Sequence, residues 1–137
     1  MVMLLCAVPL GWAAVMDYKK RVIPDWTWIV LFLIGVASAF LLPLPALYER
    51  IAGFLLPGIC LLLLAVRYGG VGGGDIKLSA AAGFTFGLNA LAVILLFTLI
   101  PACIYARAKR QRSVPLATFL GIGVFLYAGA SYITELL

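Results

Sequence analysis

Histidine is absent from this chain, only five residues are acidic, and the three cysteines, Cys6, Cys60 and Cys103, stand singly with no C-x-x-C pair. Each absence removes a chemistry. Without histidine or paired thiolates the ordinary ligand sets for zinc and haem are missing, so neither a metal nor a cofactor is expected. The lone cysteines read as packing residues inside apolar segments. No Ser-Lys spacing falls at a membrane face, which leaves nucleophilic hydrolysis poorly supplied. Charge is also scarce: 11% of residues are charged against 66% hydrophobic, with a mean hydropathy of +1.19, far from soluble globular chains.

What is present is a series of long apolar runs. They lack the alternation of barrel strands and are too long for them, so each is expected to be a helix that satisfies its own backbone. The fold class is therefore all-α, a polytopic transmembrane bundle in contact with membrane lipid. The net charge of +5 could suggest nucleic acid. The basic residues, however, fall in short loops between apolar runs and not along one face, and no nucleic-acid partner is expected.

Helix 1 is expected over residues 1–16, with the basic cluster Lys19-Lys20-Arg21 behind it, the order of a first span and not of a signal peptide. Residues 17–25 read as a polar loop, followed by the interfacial Trp26 and Trp28 and a helix to about Leu42. Residues 51–66 form a third helix with a Pro57-Gly58 kink, and residues 67–75 a glycine-rich loop. The stretch Ile76 to Ala106, apolar apart from Lys77, is too long for one span and short for two.

Parity settles it. A short helix 4 over 76–86, a turn at Gly87-Leu88-Asn89 and a fifth helix put Lys19, Lys20, Arg21, Arg67, Lys77, Arg107, Lys109, Arg110 and Arg112 on one side, with Arg50 alone opposite. The positive-inside rule then gives six helices, the sixth over 116–137, with both termini outside and the basic loops cytoplasmic. Asp17, Asp25 and Asp75 share that cytoplasmic face, while Glu49 and Glu135 lie outside.

Asp75 follows three glycines in Gly72-Gly73-Gly74-Asp75-Ile76-Lys77, and an acid at the edge of a span is a functional candidate by default. Two carboxylates held together cannot both ionise readily. One takes a proton from water while the other, protonated, donates to the carbonyl under attack. Asp17 is the expected partner, at the same depth, if helix 1 packs on helix 4 through Ala80, Ala81, Ala82 and Gly83. Asp25 reads as the N-cap of helix 2, Lys77 as a snorkelling cation, and Gly72 and Gly74 as room for a substrate backbone.

The run Gly72 to Leu78 resembles the G-x-G-D motif of the type IV prepilin peptidases, bacterial and archaeal intramembrane aspartic proteases. Asp17, followed seven residues later by Pro24 and then Asp25, is similar to that family's first catalytic aspartate and its Ile/Leu-Pro-Asn/Asp segment. Val114 to Gly123 resembles the proline-led entry to its last core helix. The resemblance implies that Asp17 and Asp75 are the catalytic pair, with Gly72, Gly73, Gly74, Lys77, Pro24 and Asp25 around the substrate.

It also implies a pilin-like precursor as partner, cut at the cytoplasmic membrane after a short basic leader. The chain looks like short, core-only members that process Flp-type pilins, one domain over 1–137 without the cysteine-motif region linked to N-methylation. Oligomeric state stays open. Two readings from other classes remain, an ion-coupled transporter and a non-catalytic assembly protein of a secretion machine. The first expects ionisable groups at mid-depth and an internal repeat, and neither is visible.

Overall fold

Each apolar run does close its backbone hydrogen bonds within itself. The computed structural model describes residues 1–110 and 114–137, and among them there is no strand. Six helices follow in order: α1 (Val2–Lys20), α2 (Asp25–Leu41), α3 (Leu47–Tyr68), α4 (Gly73–Phe86), α5 (Leu88–Lys109) and α6 (Leu116–Leu136). Arg112, counted above with the basic loops, lies outside the described residues.

Four of these, α1, α3, α5 and α6, are long and apolar enough to cross a membrane. Apolar α2 is shorter at 17 residues, and α4 has only 14, about 21 Å of helix against a hydrocarbon core of about 30 Å. The outer surface is apolar, with Leu62, Leu63 and Leu64 of α3 exposed among many others, as a lipid-facing surface requires.

Boundaries differ from expectation where a cap decides them. Helix α1 runs through the polar residues to Lys20 and stops at Arg21, whose left-handed backbone (φ 54°) lets its N–H bond the Asp17 carbonyl at 3.0 Å. Asp17 thus stands in the last turn of a helix and not in a loop. Helix α3 begins earlier, at Leu47, and continues through Pro57 as a single helix. The turn after α4 is one residue, Gly87 (φ 82°), a conformation that glycine adopts without strain.

Close contact between helices runs through small residues. At the α3–α4 crossing a Cβ on either Gly53 or Gly83 would overlap the other's backbone carbonyl. Gly123 of α6 lies as tightly against Thr98 and Ile94 of α5. Between α2 and α4, Thr85 Oγ1 donates to the Leu31 carbonyl at 3.0 Å beside Gly35. Small residues allow the backbone approach that drives association where lipid tails remove the hydrophobic incentive. Helix α1 packs on α2 and α6, whereas α4 packs on α2, α3, α5 and α6. The expected α1–α4 packing is therefore not a main interface. The small face of α4 is spent on α3, and α2 and α6 are the helices common to both.

The bundle end opposite the basic loops is tied by Arg50, which is 1% exposed. Its Nε donates to Pro45 O at 3.0 Å, and Nη1 reaches Ser38 Oγ at 2.9 Å and the carbonyls of Gly35, Phe84 and Thr85 at 3.2–3.3 Å. Phe84 and Thr85 lie in the last turn of α4, where unpaired carbonyls favour a cation. A cavity of about 1080 Å³ opens beside it, bounded by Leu10, Phe86, Val124 and Tyr127.

Replacing Gly83 with alanine is expected to lower stability by about 1–3 kcal/mol through overpacking. Gly11→Ala, where a Cβ meets nothing within 4 Å, should cost nothing. Thermal unfolding of the two variants in detergent checks the contrast.

Candidate active site

At the basic end, three helix termini converge: the last turn of α1, the first turn of α4 and the first turn of α6. Helix α6 is entered through Val114-Pro115, and its N-cap Pro115 makes no side-chain cap. A capping side chain normally accepts from the N–H of the second or third helical residue, here Ala117 and Thr118. In this chain two other helices supply the acceptors. The Ala117 and Thr118 N–H groups lie against the Asp17 carboxylate, and the Ala117 N–H also lies against that of Asp75. Thr118 Oγ1 then fastens α6 to α1 by donating to the Ala14 carbonyl at 2.9 Å.

Asp75 is the third residue of α4, and Gly72 is that helix's N-cap. Its carboxylate accepts from the Gly72 N–H, half of a capping box, while its own N–H bonds the Gly72 carbonyl at 3.1 Å. Asp75 thus also serves the start of its own helix, reaching back from the third helical position to the N-cap. Asp75 stands ahead of the apolar part of this short helix. Its carboxyl is pushed up to about 6, first by burial and then by the negative charge of Asp17. The N–H groups of Ala117 and Gly72 and the cation of Arg21 pull the other way.

Asp17 is 5% exposed. One oxygen of each carboxyl, Asp17 Oδ2 and Asp75 Oδ1, is buried without a hydrogen-bond partner among the described residues. The site thus joins two carboxyls close enough to feel each other's charge, fixed N–H donors behind them, a nearby cation, and two free acceptor positions. Such a pair can hold one proton between its members. No three of the metal-ligating side chains come together among the described residues.

The other expected site residues spread around this centre. Gly74 is filled by a neighbour: a Cβ there would meet Ile23 Cβ at 3.0 Å, so the missing side chain makes room for the α1–α2 loop and not for a visitor. Gly73 faces open space, and at Gly72 a Cβ would just touch Asp75 Oδ2 at 3.4 Å. Pro24 is the N-cap of α2, its carbonyl taken by the Thr27 N–H at 3.1 Å and Thr27 Oγ1 at 2.7 Å.

Asp25 does not cap α2. It is the first helical residue, and its Oδ1 accepts from Trp28 Nε1 at 3.1 Å and from Lys77 Nζ at 3.5 Å. Lys77 accordingly pairs with Asp25 and lies 5.5 Å from the centre of the Trp28 ring, rather than simply reaching for headgroups. The pair remains exposed, a rim feature worth little to stability.

Sequence reasoning placed the start of α6 but gave neither it nor Arg21 a part in the site. The first had a signal, a proline heading an apolar helix with no capping side chain beside it. Arg21 was hidden among three consecutive cations, of which the backbone turn singles out one.

A model of the type IV leader peptidase family matches residues 4–107, a stretch that holds both aspartates and stops short of α6. Among curated proteins, the chain is similar to a prepilin leader peptidase/N-methyltransferase of Bacillus subtilis (strain 168), 33% identical over 125 residues. The match covers 82% of this chain and 49% of that protein, so the chain spans about half of the relative's length. No solved structure matches it.

The raised Asp75 carboxyl carries a stability consequence. Below about pH 4 the group is neutral folded and unfolded, and nothing is lost. As pH rises to about 6 the unfolded chain ionises freely while the fold resists, and the penalty is complete above that value. Asp75→Asn is therefore expected to stabilise the protein by about 1–3 kcal/mol at neutral pH, with the gain vanishing near pH 4. Unfolding midpoints across that pH range test it.

Proposed function

The chain belongs to the type IV leader peptidase family, and from that premise we propose that this multi-pass membrane protein is an aspartic endopeptidase with Asp17 and Asp75 as its catalytic pair. The observation that carries the reading is the shared capping of both carboxyls by the first turn of α6, which keeps two like charges side by side in a poorly solvated corner. A protein has little structural reason to build that. Repulsion and burial disfavour it, and a salt bridge or neutral amide would cap α6 as well.

In the reaction the pair carries one proton. The ionised carboxyl takes a proton from a water, the water's oxygen attacks the scissile carbonyl, and the protonated carboxyl donates to that carbonyl oxygen. The N–H groups of Ala117, Thr118 and Gly72 hold the pair in place and need not move during the step. The Arg21 cation nearby favours the ionised member of the pair. No cofactor takes part.

The substrate is a pilin-like precursor whose short basic leader lies on the cytoplasmic side of the bacterial or archaeal inner membrane, before an apolar helix. With the basic end of the bundle cytoplasmic, the cut falls where that leader meets the membrane. Exposed Asp25, bridged to Lys77, offers a carboxylate to a basic leader, and open Gly73 leaves room for a strand beside Asp75. Residues 1–137 act as one peptidase core, and methylation of the new terminus is not part of this reading.

Co-expression with a pilin precursor should give a shortened product. Asp17→Asn and Asp75→Asn are each expected to slow processing at least about 100-fold, whereas Asp25→Ala retains most of it; full processing by both active-site variants would sink the proposal. Cleavage by wild-type protein should also decline above about pH 6–7, as the proton that Asp75 holds up to about 6 is lost.

A further inference from the structure

Three buried side-chain oxygens lack a hydrogen-bond partner among the described residues: Asp17 Oδ2, Asp75 Oδ1 and Ser79 Oγ. The first two form the proposed catalytic pair. Ser79 is 1% exposed and lies four residues after Asp75 on α4, which puts both on the same face of the helix, Cβ atoms about 5–6 Å apart. Helical side chains lean toward the N-terminus, so the Ser79 hydroxyl lies over the turn that carries Asp75.

The other buried hydroxyls behave differently. Thr98 bonds the Ile94 carbonyl at 2.7 Å, Ser38 the Gly35 carbonyl at 2.8 Å and Thr27 the Pro24 carbonyl at 2.7 Å, while Thr85 shares its proton between the Ala81 carbonyl at 2.8 Å and the Leu31 carbonyl at 3.0 Å. Each turns to a carbonyl one turn back, the usual resort of a hydroxyl within a helix. Ser79 does not, although the same resort is open to it. A buried hydroxyl that declines its local acceptor is unusual and calls for another one.

We propose that Ser79 is a positioning residue of the aspartate pair: its hydroxyl reaches the free Oδ1 of Asp75 through the water that the pair activates, and so fixes the carboxyl's orientation. The inference deepens the peptidase reading and rests on it. One carboxyl oxygen is already held by N–H groups at the start of α6 and α4, and a second donor on the opposite oxygen stops rotation about the side-chain bond. A donor to the ionised form also favours that form.

The test is Ser79→Ala in the full-length protein, with Ser79→Thr as the variant that keeps the hydroxyl. Processing of a pilin precursor is followed as kcat and KM across pH, with thermal unfolding measured alongside. Ser79→Ala is expected to lower kcat about 3- to 30-fold with KM nearly unchanged, and to move the pH profile up by about half a unit to one unit. Ser79→Thr should keep the wild-type profile.

Unchanged kcat and an unshifted profile in Ser79→Ala would overturn the proposal. So would a loss of activity that follows a loss of thermal stability with no shift in the profile, since a packing role predicts that. If Ser79→Thr loses stability because its methyl does not fit, the Ser79→Ala profile alone decides. Asp17→Asn and Asp75→Asn run in parallel separate the two ideas: full processing by both removes the peptidase reading itself, whereas an inactive pair with an indifferent Ser79 removes only this inference.

Discussion

The first turn of α6 holds two carboxylates that would otherwise push apart. Its N–H groups stand where a capping serine or aspartate of its own would normally accept, and Pro115 offers none. Asp17 from α1 and Asp75 from α4 fill the place instead. Because the caps arrive from two other helices, the end of the bundle closes only when all three termini meet, and α1 and α4 are brought to one centre without packing broadly on each other. The site and the fold are thus the same interaction seen from two directions. The family comparison stops before α6, at residue 107, yet the geometry makes α6 part of the centre.

Much of this was legible beforehand. An apolar composition, six runs and a lopsided distribution of Lys and Arg are properties of a linear chain in a bilayer, and they led to six helices with the intended order. Asp17 and Asp75 could be singled out because ionisable groups are scarce enough for each to need a reason. Finer points depend on contacts that no local pattern reports. Whether residues 17–20 continue a helix depends on a left-handed turn at Arg21; whether Gly74 serves a substrate or Ile23 depends on where the α1–α2 loop comes to rest. The small face of α4 was visible, but small residues do not name their partner, and α3 took it. Asp25 and Lys77 were each given a solitary role because residues 52 apart in the chain carry no sign that they meet.

The two ends of the bundle solve opposite problems with similar means. At one end two anions lie against N–H groups; at the other a single cation, Arg50, lies against the carbonyls of Gly35, Pro45, Phe84 and Thr85. In both places backbone groups supply counter-charge, with the Arg21 cation added beside the carboxyls. Backbone dipoles are rigid and already oriented, so a charge can be held without a mobile partner that would compete for a proton. That suits the proton-passing role proposed for the carboxyl pair, and at the Arg50 end it fixes the C-terminus of a helix too short to anchor itself in both interfaces.

The crossing of Gly53 and Gly83 brings the backbones of α3 and α4 into direct contact within the bundle. Backbone contact there keeps the two helices from sliding past each other, whereas a tilt of α4 about Gly83 would swing the aspartate end one way and the Arg50 end the other. The lever arms are unequal: eight residues separate the pivot from Asp75 and only one or two from the carbonyls that Arg50 grips. A small give at the gripped end therefore becomes a several-fold larger sweep at the carboxyl.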